Sequence, residues 1–164
     1  MARWIPYNRR AAVAYAHRWA FGRNPEFYSF NELGGDCTNF ASQCLYAGTG
    51  VMNFTPDLGW YYRSGNDKAP AWTGVPYFYN FLTRSWDGPG PVGEEMPLAM
   101  LEPGDFVQLR FAGSKVYGHT PIVVAVRNGR ILVAAHSQDA DYRPLSTYSY
   151  VQARGIHILG AREI

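Results

Sequence analysis

The sequence is poor in charged residues and contains no run of like charge. Only 17% of its residues are charged, and the formal net charge is +2. Proteins that bind nucleic acids through the phosphate backbone carry a basic patch or a strongly basic overall balance. The composition therefore argues against a nucleic-acid partner.

Long hydrophobic runs are also lacking. No stretch approaches the ~20 apolar residues that a membrane-spanning helix needs. The start, Met1-Ala2-Arg3-Trp4, does not contain the apolar core of a signal peptide. We therefore expect no membrane span, and a cytoplasmic protein unless an export segment lies outside this sequence.

Cysteine is rare, with Cys37 and Cys44 as the two examples. If both lie on one helix, their separation of seven positions corresponds to a rise of about 10 Å, which is beyond the reach of a disulfide. A chain of 164 residues can bury a hydrophobic core without disulfides or metals. We interpret residues 1–164 as a single domain.

Residues 34–45 predict a helix that begins at a cysteine. Gly34 and Gly35 end an irregular segment, and the side chain of Asp36 could cap the helix that follows. Apolar residues then recur with helical spacing, namely Cys37, Phe40, Ala41, Cys44 and Leu45. The first turn of a helix favours a thiolate through its free N–H groups and its dipole. Cys37 is therefore a candidate nucleophile; the alternative is a buried core cysteine, which is our interpretation of Cys44.

The segments around this helix have different characters. Residues 7–21 predict an earlier helix, and the Cys37 helix should end near Ala47 or Gly48. Residues 49–72 form a turn-rich, aromatic segment without clear periodicity. A loop of this length in a small domain is usually functional, so we expect it to form one wall of a substrate cleft through Trp60, Tyr61 and Trp72. The alternative is a packed surface loop.

The C-terminal half predicts an antiparallel sheet. Strands are expected at residues 106–111, 119–126, 131–136 and around 156–159. Asn128-Gly129 is a strong signal for a two-residue hairpin between the second and third of these strands. Helices followed by such a sheet indicate the α+β class, with N-terminal helices packed on a C-terminal antiparallel sheet.

Two histidines lie where this hairpin would bring them together. Attack by a cysteine on an amide needs a base near the sulfur, a group that orients the base, and donors for the oxyanion. We assign His119 as the general base and His136 as its orienting partner, because the hairpin makes them near neighbours. Asp139 and Asp141 are alternatives for the orienting role.

The oxyanion donor is expected to be the main-chain N–H of Cys37 at the helix start. A side chain from the preceding loop, Tyr28 or Asn31, could assist it. In this mechanism Cys37 forms an acyl intermediate and His119 then activates water to release the acid. The chemistry requires no cofactor.

Several motifs together resemble the bacterial putative amidase domain family. They are Gly34-Gly35-Asp36-Cys37-Thr38-Asn39-Phe40, Tyr7-Asn8-Arg9-Arg10, Gly118-His119-Thr120 and His136-Ser137-Gln138-Asp139. That family is similar to the papain-like NlpC-type cell-wall peptidases and to the cysteine, histidine-dependent amidohydrolase/peptidases. The resemblance implies a papain-like fold, the catalytic order Cys37, His119, His136, and hydrolysis of an amide in peptidoglycan or a small peptide.

Two other functions remain possible at this point. A zinc site could be built from Cys37, His119, His136 and Asp139, although no ligands cluster at local metal spacing. A non-catalytic module could hold a glycan or peptide on the aromatic segment 52–72. The presence of all three candidate catalytic residues argues against the second.

Overall fold

The computed structural model describes residues 2–31 and 35–164. Gly34, in the cysteine motif, lies outside them. The helices are α1 (Arg9–Trp19), α2 (Cys37–Thr49), α3 (Pro70–Thr73) and α4 (Val75–Leu82). The strands are β1 (Arg3–Ile5), β2 (Tyr62–Ser64), β3 (Asp67–Lys68), β4 (Gly90–Met96), β5 (Phe106–Phe111), β6 (Ile122–Arg127), β7 (Arg130–Ala135), β8 (Ala140–Pro144) and β9 (Tyr150–Glu163).

Seven of the described strands form one antiparallel sheet in the order β1-β9-β5-β6-β7-β8, and β4 also pairs with β9. The long β9 supports the sheet, because β5 pairs with residues 150–156, β4 with residues 155–162 and β1 with residues 161–163. The helices α1 and α2 pack on this sheet, which confirms the α+β class. No helix among the described residues is both long and apolar enough to span a bilayer.

Helix α2 is the buried centre of the fold. Its residues are almost all buried, including the polar Asn39, Ser42 and Gln43. Buried polar groups need hydrogen-bond partners. The side chains of Asn39, Ser42 and Gln43 have such partners in side chains from other segments. Gly50, with φ 70°, ends the helix in the left-handed conformation, just after the predicted end.

Two residues of the predicted cleft wall, Trp60 and Trp72, pack inside the molecule, so the prediction is wrong for these two side chains. Trp60 and Trp72 are fully buried, and their rings lie 4.7 Å apart. Their indole N–H groups donate to Ser42 Oγ and Asn39 Oδ1 of α2, each at 2.9 Å. These two tryptophans are therefore core residues that hold α2 in place, and they are inaccessible to a substrate.

The predicted β6–β7 hairpin is confirmed, but its register contains a bulge. Asn128 and Gly129 both have positive φ, as a two-residue hairpin turn requires. Arg127 pairs with Arg130 next to the turn, but the register shifts by one residue between Val123 and Ala125. A one-residue shift moves every later side chain to the opposite face of the sheet.

This shift separates the two candidate histidines. Continuing the register of Ile122 opposite Ala134 places Thr120, not His119, opposite His136. Directly opposed residues share a face, so His119 and His136 lie on different faces. The contacts agree: His136 stacks on Phe40 of α2 at 4.0 Å, whereas His119 lies beside Tyr148 with a centroid distance of 5.5 Å.

Candidate active site

Cys37 is the first residue of α2, as predicted, but Asp36 does not cap the helix through its side chain. The Asp36 carboxylate instead accepts hydrogen bonds from the backbone N–H of Phe30 and from Asn39 Nδ2, both at 2.8 Å. It also accepts one from His136 Nδ1 at 2.6 Å. The carboxylate therefore ties the start of α2 to the preceding loop and to the end of β7.

The sulfur of Cys37 lies in a largely buried environment, with 8% of the residue exposed. Burial raises the pKa of the Cys37 thiol. Hydrogen bonds from the Thr38 hydroxyl and from the backbone N–H groups of Thr120 and Thr38 lower it, but burial outweighs them. Burial therefore opposes the thiolate that the helix start was expected to stabilise.

A chain of buried hydrogen bonds joins α2 to the sheet beside the sulfur. Thr38 Oγ1 lies 3.7 Å from Cys37 Sγ and 3.1 Å from Thr120 Oγ1. Gln108 Nε2 donates to Thr120 Oγ1 at 3.3 Å, and Arg154 donates twice to Gln108 Oε1. Sequence reasoning missed these residues; the polar Gln108 inside an apolar strand is the one available signal. Because Thr120 follows His119, these hydrogen bonds fix the position of His119 relative to α2.

His119 lies just before β6 and is 7% exposed. Its backbone bridges to β5, since its carbonyl accepts from the N–H of Leu109 at 3.0 Å. Burial, and then the charge of Arg143, lower the pKa of His119 from 6.5 to about 4. The imidazole is therefore neutral at neutral pH and can accept a proton.

Cys37 and His119 line the same open cavity, whose volume is about 710 Å³. Its other lining residues are mostly polar: Arg23, Asn31, Gly35, Gly118, Ser137, Gln138 and Asp139. The nucleophile and base candidates thus share one cavity beside the first turn of α2, and no hydrogen bond joins the two side chains among the described residues. A substrate in this cavity would reach both side chains.

His136 lies behind this cavity and is buried. Its Nδ1 donates to the Asp36 carboxylate, and its Nε2 lies 2.8 Å from the carbonyl oxygen of Trp19 and 3.1 Å from Arg23 Nη1. Among the described residues, no hydrogen bond joins His136 to His119. The expected orienting contact is therefore missing from this geometry, because the extra residue in β6 puts His119 on the face opposite to that of His136.

The two alternative orienting carboxylates also have other partners. Asp139 accepts two hydrogen bonds from Arg23, each at 3.0 Å. Asp141 pairs with His17 at 2.8 Å, on the outer side of α1. Neither carboxylate is bonded to His119 in the part of the chain that the structure describes.

The two predicted oxyanion side chains lie in different places. Asn31 lines the cavity that contains Cys37 and His119, and its Oδ1 accepts from Arg23 Nη2 at 3.1 Å. Tyr28 is exposed and lines a separate cavity with Phe30 and Lys68. Tyr61 packs against Phe54 and does not line the cavity that contains Cys37. Of these three residues, Asn31 is the one positioned near the candidate nucleophile.

A separate cluster of potential metal ligands occurs away from the cavity. Within the described residues it consists of Glu102, Asp105 and His157. The guanidinium of Arg9 occupies it, donating to Asp105 Oδ1 at 2.8 Å and lying 3.6 Å from Glu102. A fixed cation at its centre opposes binding of a second one. The cluster is an ion-pair network, and the four residues of the zinc alternative are not grouped as ligands among the described residues.

Comparison with known proteins places these features in a family. Residues 6–159 match the model of the putative amidase domain. The chain is also 34% identical, over 140 residues, to the Uncharacterized protein YhbB of Bacillus subtilis (strain 168). The match covers 84% of this chain and 43% of that protein, so the chain spans less than half of its relative's length. No solved structure matches. The match across nearly the whole chain shows that it belongs to the putative amidase domain family.

Proposed function

We propose that this protein hydrolyses amide bonds through a thiol–imidazole pair, with Cys37 as the nucleophile and His119 as the general base. The observation that carries the proposal is that both side chains line one open cavity at the start of α2. Membership of the amidase family supports hydrolysis of an amide. The arrangement of a helix-start cysteine and a strand histidine also fits a papain-like domain.

The raised pKa of Cys37 and the lowered pKa of His119 favour a neutral resting pair. His119 takes the Sγ proton as the sulfur attacks the carbonyl carbon. The free N–H groups at the start of α2, with Asn31, stabilise the oxyanion. The imidazolium then protonates the leaving amine as the C–N bond breaks. Water, deprotonated by His119, attacks the thioester and releases the acid, which restores the thiol.

His136 has a positioning role in this proposal. Through Asp36 it holds the residue that precedes Cys37, so it acts on the nucleophile through the backbone. His119 is held by the hydrogen bond from the Leu109 N–H of β5 to its carbonyl and by packing against Tyr148. A peptide substrate, such as a cell-wall peptide, suits the open and polar cavity.

The direct test is covalent labelling of Cys37 combined with a hydrolysis screen. We expect the purified protein to cleave at least one small peptide or muropeptide. One equivalent of iodoacetamide should abolish this activity, with the label mapped to Cys37 by mass spectrometry. Cys44 serves as the internal control, since it is fully buried and its pKa is raised well above the usual value. Full activity in protein labelled at Cys37 would refute the proposal.

The neutral resting pair predicts an unusual pH dependence. The base must be unprotonated, and burial together with Arg143 lowers the pKa of His119 to about 4. The acid limb of kcat/KM should therefore lie near pH 4, well below the ordinary histidine value of 6.5. A pH–rate profile and an NMR titration of the His119 ring should give the same midpoint, with His119→Ala used to assign the signal. A ring that is protonated at neutral pH would indicate a thiolate–imidazolium pair instead.

A further inference from the structure

A second cavity adjoins the catalytic one at His119. Its volume is about 430 Å³, and it shares Gly118, His119, Ser137 and Gln138 with the catalytic cavity. The additional wall comes from Phe111 of β5, from Arg143 in β8 and from residues 147–149 after that strand. A substrate held at Cys37 could therefore extend past His119 into this second space.

Arg143 is fixed in this cavity by neutral partners. Its guanidinium lies 3.6 Å from the ring centroid of Tyr148. Its Nε donates to Thr147 Oγ1 at 2.8 Å, and its Nη2 donates to the Thr147 carbonyl at 3.1 Å. A guanidinium has five N–H groups, so three remain available. Among the described residues Arg143 makes no ion pair, and none of the residues lining this cavity is acidic.

The arginine of the catalytic cavity is in the opposite situation. Arg23 is neutralised by two hydrogen bonds to Asp139. The second cavity thus carries an uncompensated cation, whereas the first does not. Tyr148 also lines the second cavity, and the Arg143 guanidinium packs on its ring.

We propose that this second cavity is a subsite for a carboxylate group of the substrate, held by Arg143. The proposal rests on the proposed function, since it places the scissile amide at Cys37. Arg143 is already held on the Tyr148 ring and by Thr147, so little side-chain entropy is lost on binding. The preferred substrate is therefore a peptide with a carboxylate close to the scissile bond. The group is either a free C-terminal carboxylate or an acidic side chain.

Binding is tested without any turnover in the Cys37→Ala protein. NMR titration should show that N-acetylglycine binds about tenfold more tightly than N-acetylglycinamide, because the two differ in one charge-assisted contact. Arg143→Gln should remove this preference, and Arg143→Lys should keep part of it. Arg127→Gln is the matched control, because this exposed arginine at the β6–β7 turn lines neither cavity. Equal affinity for acid and amide, or a preference that survives Arg143→Gln, would overturn the subsite.

A second arm measures reactivity in the native protein. The measured quantity is the alkylation rate with N-bromoacetylglycine divided by the rate with N-bromoacetylglycinamide. For Cys37 this ratio should be about ten times the ratio for free cysteine. If neither reagent reacts while the binding preference persists, the nucleophile proposal fails and the subsite stands. If peptides are cleaved but acid and amide bind alike, the subsite fails alone. Comparing N-acetylglycylglycine with N-acetylglutamic acid α-amide then identifies a terminal or side-chain carboxylate.

Discussion

Replacing Cys37 with alanine is expected to lower kcat/KM for amide hydrolysis by a factor on the order of 10⁵. Replacing His119 with alanine should lower it to nearly the same level. Without the sulfur there is no nucleophile, and without the imidazole the buried thiol has no proton acceptor. The raised pKa of Cys37 makes this dependence strong, because few thiolates form without the base.

The double variant distinguishes a catalytic pair from two separate contributions. Residues that act as a unit have non-additive effects, so Cys37→Ala/His119→Ala should be no more than about tenfold worse than either single variant. Steady-state kinetics on the best peptide of the screen would measure this. Cys44→Ala is the control: it lies in the core of the same helix and should retain kcat/KM. Losses that multiply in the double variant would contradict a shared step.

The sequence predicted the elements of the site better than their relative orientation. The stripe of apolar residues and the turn at Asn128-Gly129 are local signals, and both were confirmed by α2 and the β6–β7 hairpin. The bulge between Val123 and Ala125 has no comparable local signal. That one extra residue, on β6, decides whether His119 shares a face with His136, so the orienting role could not be predicted from spacing alone.

Burial was the other property that local patterns left open. Trp60 and Trp72 lie in a turn-rich segment, which suggests a surface, yet each finds a polar partner on α2 for its indole N–H. Strand β4 was also missed, since Gly90-Pro91 signals a break; the strand forms because β9 is long enough to pair with it. The thiol pKa follows the same rule: the helix start favours a thiolate, but the depth of Cys37 dominates.

The second large effect concerns stability and the buried pair of Asp36 and His136. Both side chains are 1% exposed, and they lie 2.6 Å apart. The Asp36→Asn variant should lose about 3 kcal/mol of unfolding free energy, because it leaves a buried hydrogen-bond donor without its acceptor. In asparagine, one oxygen must still accept from Phe30 and Asn39. The amide NH₂ group of the variant side chain then faces the N–H of His136, so two hydrogen-bond donors oppose each other.

Asp139→Asn provides the matched control. This substitution also replaces a carboxylate with an amide. Asp139, like Asp36, contacts Arg23, but its side chain is 28% exposed. Surface ion pairs contribute little, so we expect a loss below about 1 kcal/mol. Urea unfolding of the native protein and both variants would measure the difference, with equal slopes indicating a common unfolded state. Equal losses in the two variants would contradict the assigned role of Asp36.

The pH dependence of this difference gives a further check. Burial alone would raise the pKa of Asp36, but hydrogen bonds from His136, Phe30 and Asn39 lower it below the ordinary value of 3.8. A carboxyl group with a lowered folded-state pKa stabilises the fold above its unfolded pKa, and this contribution is lost as the pH falls through the folded value. The gap between native protein and Asp36→Asn should therefore be full at neutral pH and shrink below pH 3.8. His119 also reduces stability between pH 6.5 and about 4, since the unfolded chain takes up its proton first. The native protein and the Asp36→Asn variant share this loss, so it cancels from the difference between their unfolding free energies.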